Sequence, residues 1–126
     1  MDSRELTNEI FDVLVIRESA IASHQAAVSQ LLGGWFKALD YLKAQPREAA
    51  KLVAKRLNVS ADEFLASLND IVIPDLAQNK QFLIGNSPQL LMAGQQLANI
   101  MIQHQLLTTP VDASTLIYND IQTLLP

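Results

Sequence analysis

The chain has 126 residues, of which 49% are apolar and 6% aromatic, and its 13 acidic and 9 basic side chains give a net charge of -4. A single domain of this length can bury roughly two-thirds of the surface that its unfolded chain exposes, so it needs no disulfide or metal to hold a core together. The absence of cysteine excludes disulfides, thiolate metal sites and cysteine nucleophiles, and the acidic balance argues against a nucleic-acid partner.

The first part of the chain, residues 1–17, is predicted to be a polar lead-in followed by one short strand. Residues 11–17 are apolar or β-branched at nearly every position, which is typical of a strand buried on both faces of a parallel sheet. A single strand leaves its backbone N–H and C=O groups unpaired, and no second strand of similar quality follows. Three interpretations remain: the sheet is missing, a second copy of the chain supplies the partner strand, or the run joins a helix.

The remainder, residues 18–126, is predicted to be a mostly α bundle of about five helices in a single domain with the first part. In the first helix, which is expected to continue through Lys43, the apolar residues that recur at intervals of three and four are Val28, Leu31, Leu32, Trp35, Phe36, Leu39 and Leu42. Gly33 and Gly34 each cost this helix about 1 kcal/mol relative to alanine, which predicts a local bend or the close approach of another element.

Proline and capping residues divide the helices that follow. Pro46 breaks the first helix and starts the second, which Asn58 can close in the left-handed conformation. Ser60 and Glu63 have the spacing of a capping box and predict a short third helix. An irregular connection with one helical turn follows, and Asp112 or Ser114 is expected to cap the last helix.

A long uncharged helix is predicted over residues 88–107, with Ser87 as its cap and Pro88 in its first turn. No Asp, Glu, Lys or Arg occurs between Gln81 and Val111. The helix is either largely buried within one domain or part of a subunit interface, since the absence of charge lowers the penalty for desolvating a surface. The residues that we select as a candidate interface are Phe11, Val13, Val15, Trp35, Leu90, Leu97 and Met101.

No arrangement of residues indicates catalysis, a cofactor or a metal site. His24 and His104 lie on separate predicted helices, and neither has a carboxylate or histidine at the spacing of a helical metal site. No serine lies in a Gly-x-Ser-x-Gly motif, and Gly33 and Gly34 lack the context of a phosphate-binding loop. We therefore expect that the chain is not an enzyme and that it has no catalytic, cofactor or metal residues.

Several segments nevertheless resemble one protein family. Residues 3–6, Ser-Arg-Glu-Leu, and 9–18, Glu-Ile-Phe-Asp-Val-Leu-Val-Ile-Arg-Glu, are similar to a segment of the nitrate/sulfonate/taurine-type substrate-binding proteins of ABC importers. The resemblance continues through Trp-Phe-Lys-Ala-Leu-Asp-Tyr-Leu-Lys-Ala-Gln-Pro at 35–46, Val-Ser-Ala-Asp-Glu-Phe at 59–64 and Asp-Leu-Ala-Gln-Asn at 75–79. Departures include Gln105, at a position where the last long helix of the family often ends in glycine.

The resemblance implies a fold, a function and a partner. Members of this family have the type II periplasmic-binding-protein fold, in which two α/β lobes close on a small solute. This chain resembles their C-terminal portion: one strand that returns from the second lobe, then helices that pack on the first. The chain would contact an ABC permease and a small anionic solute only as part of a whole binding protein. The ligand-binding residues stay unknown, because most ligand-contacting loops of the family lie in the portions that this chain does not resemble.

Localisation depends on whether the chain is complete. No apolar signal core is present at the N-terminus, and no run of about eighteen apolar residues predicts membrane insertion. We expect a periplasmic location if the chain is part of a full-length family member and a cytoplasmic location if it is complete.

Other interpretations remain open beside the resemblance. The chain could be a stand-alone helical interaction module that forms homo-oligomers through its N-terminal strand or through the uncharged helix 88–107. A weaker interpretation is a small-molecule pocket between Trp35 and the apolar seam of that helix, which consists of Leu90, Gly94, Leu97 and Met101.

Overall fold

The computed structural model describes residues 11–118 and 120–126, which form six α-helices and two short 3-10 helices. The α-helices are α1 (Glu18–Ala44), α2 (Pro46–Leu57), α3 (Ala61–Ser67), α4 (Leu76–Leu83), α5 (Gln89–Gln103) and α6 (Ile121–Leu124). The 3-10 helices are Leu68–Asp70 and Ala113–Leu116. The mostly α prediction is therefore confirmed, whereas the predicted lead-in over residues 1–10 lies outside the described residues.

The strand predicted over residues 11–17 is not formed: this segment is neither helix nor strand, and the described ranges contain no strand that could pair with it. Two of its residues are held by side-chain packing instead. The Phe11 ring meets Phe82 of α4 edge-on at 5.7 Å between centroids, and Ile16 packs against Ile21 and its neighbours. A strand needs the N–H and C=O groups of another strand, and the described helices offer none.

Helix α1 is interrupted at His24, where φ is -137° and ψ is 35°, and not at the two glycines. Gly33 and Gly34 keep helical geometry, and a Cβ added to either would meet no atom within 4 Å. The prediction of a bend or close approach at these glycines is therefore wrong for contacts within the described chain.

The local signals around α2 and α3 are confirmed. Pro46 occupies the first turn of α2, and Asn58 closes that helix in the left-handed conformation with φ 56°. In the capping box of α3, the backbone N–H of Glu63 donates to Ser60 Oγ at 3.1 Å, and the backbone N–H of Ser60 donates to Glu63 Oε2 at 2.8 Å. These motifs were readable because every partner lies within four residues.

The uncharged helix is shorter than the predicted range 88–107. Helix α5 begins at Gln89 and ends at Gln103, and Gln105 then takes a left-handed conformation with φ 59°. The backbone N–H groups of Leu106 and Leu107 turn back to the carbonyl of Met101 at 2.8 and 3.2 Å, as at the end of many helices. Gln105 therefore adopts a conformation that glycine takes without strain.

The helices pack in two neighbourhoods. Helix α1 packs on α2 and α6, and α2 packs on α3, while α5 packs on α4 and on the 3-10 helix Ala113–Leu116. A cluster of Ile21, Val28 and Leu124 ties α6 to α1. Half of the buried apolar residues are alanines, so few large side chains are fully enclosed.

Several large apolar side chains of the described helices stay in contact with water. Leu31, Trp35 and Leu97 are 57%, 55% and 58% exposed.

We expect Leu124→Ala to lower the free energy of unfolding by about 2–5 kcal/mol, because Leu124 is only 1% exposed and its loss leaves a cavity between α1 and α6. Urea denaturation followed by circular dichroism measures this change. Leu52→Ala, at an exposed position of α2, is the matched control and should change stability by no more than about 0.5 kcal/mol. Equal effects of the two substitutions would contradict the placement of Leu124 in the core.

Candidate functional site

One side of α1 forms an exposed uncharged surface, which we call the α1 strip. Its members are Ala27, Leu31, Gly34, Trp35, Ala38 and Tyr41, all of which are exposed. Leu31 is 57% exposed and Trp35, the only tryptophan, is 55% exposed. Residues three and four apart share one face of a helix, so these side chains form a continuous surface. Surfaces of this kind typically mark sites of interaction with another macromolecule.

The apolar stripe that the sequence assigns to α1 is thus divided in two. Val28, Phe36 and Leu39 are buried, whereas Leu31 and Trp35 on the neighbouring side are exposed. Helices α2 and α6 cover only the first of these sides.

A second exposed uncharged surface lies on α5. Met92, Leu97 and Ile100 are exposed on one side of this helix, while Ala98 is buried on the other. On the covered side, Gly94 lies against Ala113, whose Cβ would be 3.4 Å from a Cβ added at the glycine. The interpretation of a largely buried helix therefore holds for only one side of α5.

Gln95 fastens the covered side of α5 to the chain beyond it. Its side-chain oxygen accepts a hydrogen bond from the backbone N–H of Ala113 at 3.1 Å, and its side-chain nitrogen donates to the carbonyl of Val111 at 3.2 Å. An uncharged amide can satisfy a donor and an acceptor together, which explains a polar residue at this partly buried position. This role of Gln95 was not predicted from the sequence, because Val111 and Ala113 lie 16 and 18 positions further along the chain and no local spacing links them to Gln95.

The candidate interface residues are distributed over three elements. Val13 and Val15 are exposed in the N-terminal segment, and Phe11 is half-buried against α4. On α1, Trp35 is exposed; on α5, Leu97 is exposed while Leu90 and Met101 are half-buried. Helix α1 and helix α5 pack mainly on other elements, so these residues do not converge on one surface. Their use as an interface stays a prediction.

Within the described residues, three carboxyl groups have shifted pKa values, and all three lie at helix starts. Hydrogen bonds from the backbone N–H and hydroxyl of Ser60 lower the pKa of Glu63, and the Ser114 hydroxyl and backbone N–H lower the pKa of Asp112. The backbone N–H of Gln78 lowers the pKa of Asp75, and the ammonium of Lys43 adds to the effect. Each carboxylate therefore caps a helix.

The Asp75 cap was not predicted, although its spacing to Gln78 is that of a capping box. The Gln78 backbone N–H donates to Asp75 Oδ1 at 3.0 Å, and the Asp75 backbone N–H donates to Gln78 Oε1 at 3.0 Å. The Asp-x-x-Gln pattern was the signal that could have identified it.

The other surfaces show little that could hold a ligand or a metal ion. Within the described residues, no three His, Asp or Glu side chains are grouped to bind a metal ion. An open depression of about 510 Å³ is lined by Lys80, Gln81, Ile84 and Gln122, away from Trp35 and the seam of α5. None of the helices in the described ranges combines the length and hydropathy that a bilayer crossing requires.

Acidification should weaken the helix starts. The lowered pKa values mean that these carboxylates contribute stability above their ordinary values of 4.5 for Glu63 and 3.8 for the two aspartates, and that this contribution is lost as the pH falls through the lower values of the folded state. Urea denaturation at about pH 6 and about pH 3 measures the loss. Glu63→Gln, whose amide does not titrate, should reduce this pH dependence. An identical pH dependence in the variant and the parent would contradict the capping role.

Comparison with known proteins identifies no relative. No protein-family model, no curated protein and no solved structure matches the chain significantly. The candidate site consists of the two exposed uncharged surfaces, on α1 and α5.

Proposed function

We propose that this chain is a helical segment of an ABC-importer solute-binding protein of the nitrate/sulfonate/taurine type, and that its exposed apolar surface packs against an α/β portion of that protein. The observation that carries the proposal is the exposure of the α1 strip. Trp35 begins the most specific stretch of the family resemblance, residues 35–46, yet its side chain lies 55% in water.

The N-terminal segment supports the same proposal. Val13, Leu14 and Val15 are exposed, Val15 to 83%, between the held residues Phe11 and Ile16. A β-branched apolar run of this kind suits the interior of a sheet, where both its faces and its backbone groups find partners. In the parent family, the returning strand would occupy such a position inside the sheet. An α/β portion would therefore cover residues 11–17 together with α1.

In this proposal the chain has a structural role and does not bind solute by itself. Ligand pockets combine an apolar lining with a few convergent polar groups, and the buried residues described here are all apolar. The solute and the ABC permease would be partners of the complete binding protein. Its location in the cell would then be periplasmic.

The isolated chain should bind neither taurine nor nitrate when it is titrated in a calorimeter, because half of the ligand cleft is missing. A micromolar dissociation constant for either solute would contradict the proposal. In a second experiment, the chain is mixed with a separate polypeptide, the α/β portion of a taurine-type binding protein from which the C-terminal helices have been removed. The two chains should co-purify, and the emission of Trp35 should shift to shorter wavelength as the ring leaves water.

Two controls sharpen this experiment. Val15→Asp introduces a charge into the segment that would enter the sheet and should prevent co-purification, whereas Val72→Asp, at another exposed valine, should not. The DNA upstream of the reading frame can also be inspected for a first half of the binding protein. Failure of the two chains to associate, together with no encoded first half, would refute the proposal.

A second candidate function is a helical module that forms homo-oligomers through α5. The observation that favours it is the uncharged exposed side of this helix, with Met92, Leu97 and Ile100 in water. Pairing such a surface with its copy places no like charges opposite each other.

For this candidate, Leu97→Glu should shift the chain from oligomer to monomer in sedimentation velocity, because a carboxylate would be desolvated in the interface. Leu116→Glu, at an exposed leucine outside α5, is the control and should leave the sedimentation coefficient unchanged. A parent chain that is monomeric at tens of micromolar would contradict the candidate.

A further inference from the structure

The bend between α4 and α5 contains an exposed asparagine that is followed by a small residue. Gly85, Asn86 and Ser87 are all exposed and lie outside the helices. Gly85 has φ 121°, and a Cβ added at this position would meet no atom within 4 Å. Among the described residues, neither the side-chain amide of Asn86 nor the backbone N–H of Ser87 has a hydrogen-bond partner. Both groups are therefore open to solvent and to each other.

An asparagine in such a bend can react with its own main chain. The backbone nitrogen of the next residue attacks the side-chain amide carbon when the chain can bring the two atoms together. A helix prevents this, because it fixes the backbone dihedrals and engages the following N–H in its own hydrogen bonds. A β-branched residue after the asparagine hinders the attack sterically, whereas the small side chain of serine does not. Asn86 and Ser87 meet all of these conditions.

We propose that Asn86 deamidates spontaneously through attack by the backbone nitrogen of Ser87. A bond forms between that nitrogen and Cγ of Asn86, the bond from Cγ to Nδ2 breaks, and Nδ2 leaves as ammonia with the proton from the Ser87 nitrogen. Water then opens the cyclic imide at either carbonyl, which gives aspartate or isoaspartate, the isomer whose main chain runs through the side-chain carbon. The net reaction consumes one water and releases one ammonia, and no atom changes its oxidation state.

The asparagines inside α4 and α5 are protected by contrast. Asn79 Nδ2 donates to the carbonyls of Pro74 and Asp75 at 3.0 and 2.9 Å, which fixes the amide against the first turn of α4. Asn99 Oδ1 accepts a hydrogen bond from Gln95 Nε2 at 3.2 Å within α5. In both cases the next residue is helical, so its nitrogen is not available for attack.

The remaining described asparagines each lack one of the conditions. Asn58 precedes Val59, which is β-branched and whose N–H donates to the Ala54 carbonyl at 3.1 Å. Asn69 lies inside the first 3-10 helix. Among the asparagines that the structure describes, only Asn86 combines a non-helical backbone with an unbonded amide and a small following residue.

The reaction would change the charge at the start of α5. No Asp, Glu, Lys or Arg occurs between Gln81 and Val111, and the start of α5 has no side-chain cap, unlike the starts of α3 and α4. An anion near the N-terminus of a helix is favoured by the helix dipole. Conversion of Asn86 would therefore add the first charge of this region just before the end of α5 that favours a negative charge.

The first experiment incubates the whole chain in mildly alkaline buffer, where a backbone nitrogen loses its proton more readily. Digestion and tandem mass spectrometry of timed samples follow the conversion of amide to acid at each asparagine. We expect Asn86 to convert at least about ten-fold faster than Asn79 and Asn99, since those residues react only after local unfolding of their helices. Isoaspartate should accompany aspartate at Asn86. Conversion of Asn86 that is no faster than that of Asn99 would overturn the proposal.

Paired variants of Ser87 test the attacking atom. Ser87→Gly should accelerate conversion at Asn86 and Ser87→Val should slow it, because the side chain at this position controls access to the nitrogen. The rate at Asn99 is the internal control and should be the same in both variants. Direct hydrolysis by water would give equal rates in the two variants, or aspartate without isoaspartate, and either result would overturn the proposed attack.

Incubation in urea separates the effect of the fold from that of the sequence. Unfolding should raise the rate at Asn99 and leave the rate at Asn86 nearly unchanged, because only Asn99 loses the protection of a helix. A rise at Asn86 as large as that at Asn99 would mean that the folded bend protects it, contrary to the proposal. The reaction needs only water and the chain itself, so none of these outcomes affects the proposed function, whose tests are solute binding and association with the α/β portion.

Discussion

The apolar surface of α1 is wider than the helices that pack on it, and the rest of the structure follows from this imbalance. Helices α2 and α6 cover Val28, Phe36 and Leu39, while Leu31 and Trp35 on the adjoining side stay in water. Hydrophobic free energy is roughly proportional to the apolar area removed from water. An association that covers the adjoining side would therefore be favoured by the same force that folds the chain.

Few large side chains are fully enclosed between the described helices. Alanines such as Ala50 and Ala54 allow α2 to lie close to its neighbours but enclose little apolar area. Leu124 has a correspondingly large role because it joins the last helix to α1, and Gln95 joins α5 to the chain that follows it through two backbone hydrogen bonds. Leu124 and Gln95 thus each join helices to a part of the chain that is distant in sequence.

The ordered polar groups mainly terminate helices. The carboxylates of Glu63, Asp75 and Asp112 accept hydrogen bonds from the first turns that they cap, and the ion pair between Lys43 and Asp75, at 3.4 Å, links the end of α1 to the start of α4. Such pairs contribute little to stability when both side chains are exposed. The proposed α/β portion would cover the exposed apolar area of α1.

The sequence by itself determined the features whose partners lie within one helical turn. The mostly α class, the start of α2 at Pro46, the left-handed Asn58 and the capping box of Ser60 and Glu63 depend on local hydrogen bonds and could be predicted. Only the tertiary structure decided that residues 11–17 form no strand and which side of the α1 stripe is covered. Strand pairing and burial depend on elements that are distant in the chain, and a periodic pattern states which faces are apolar but not what will lie against them.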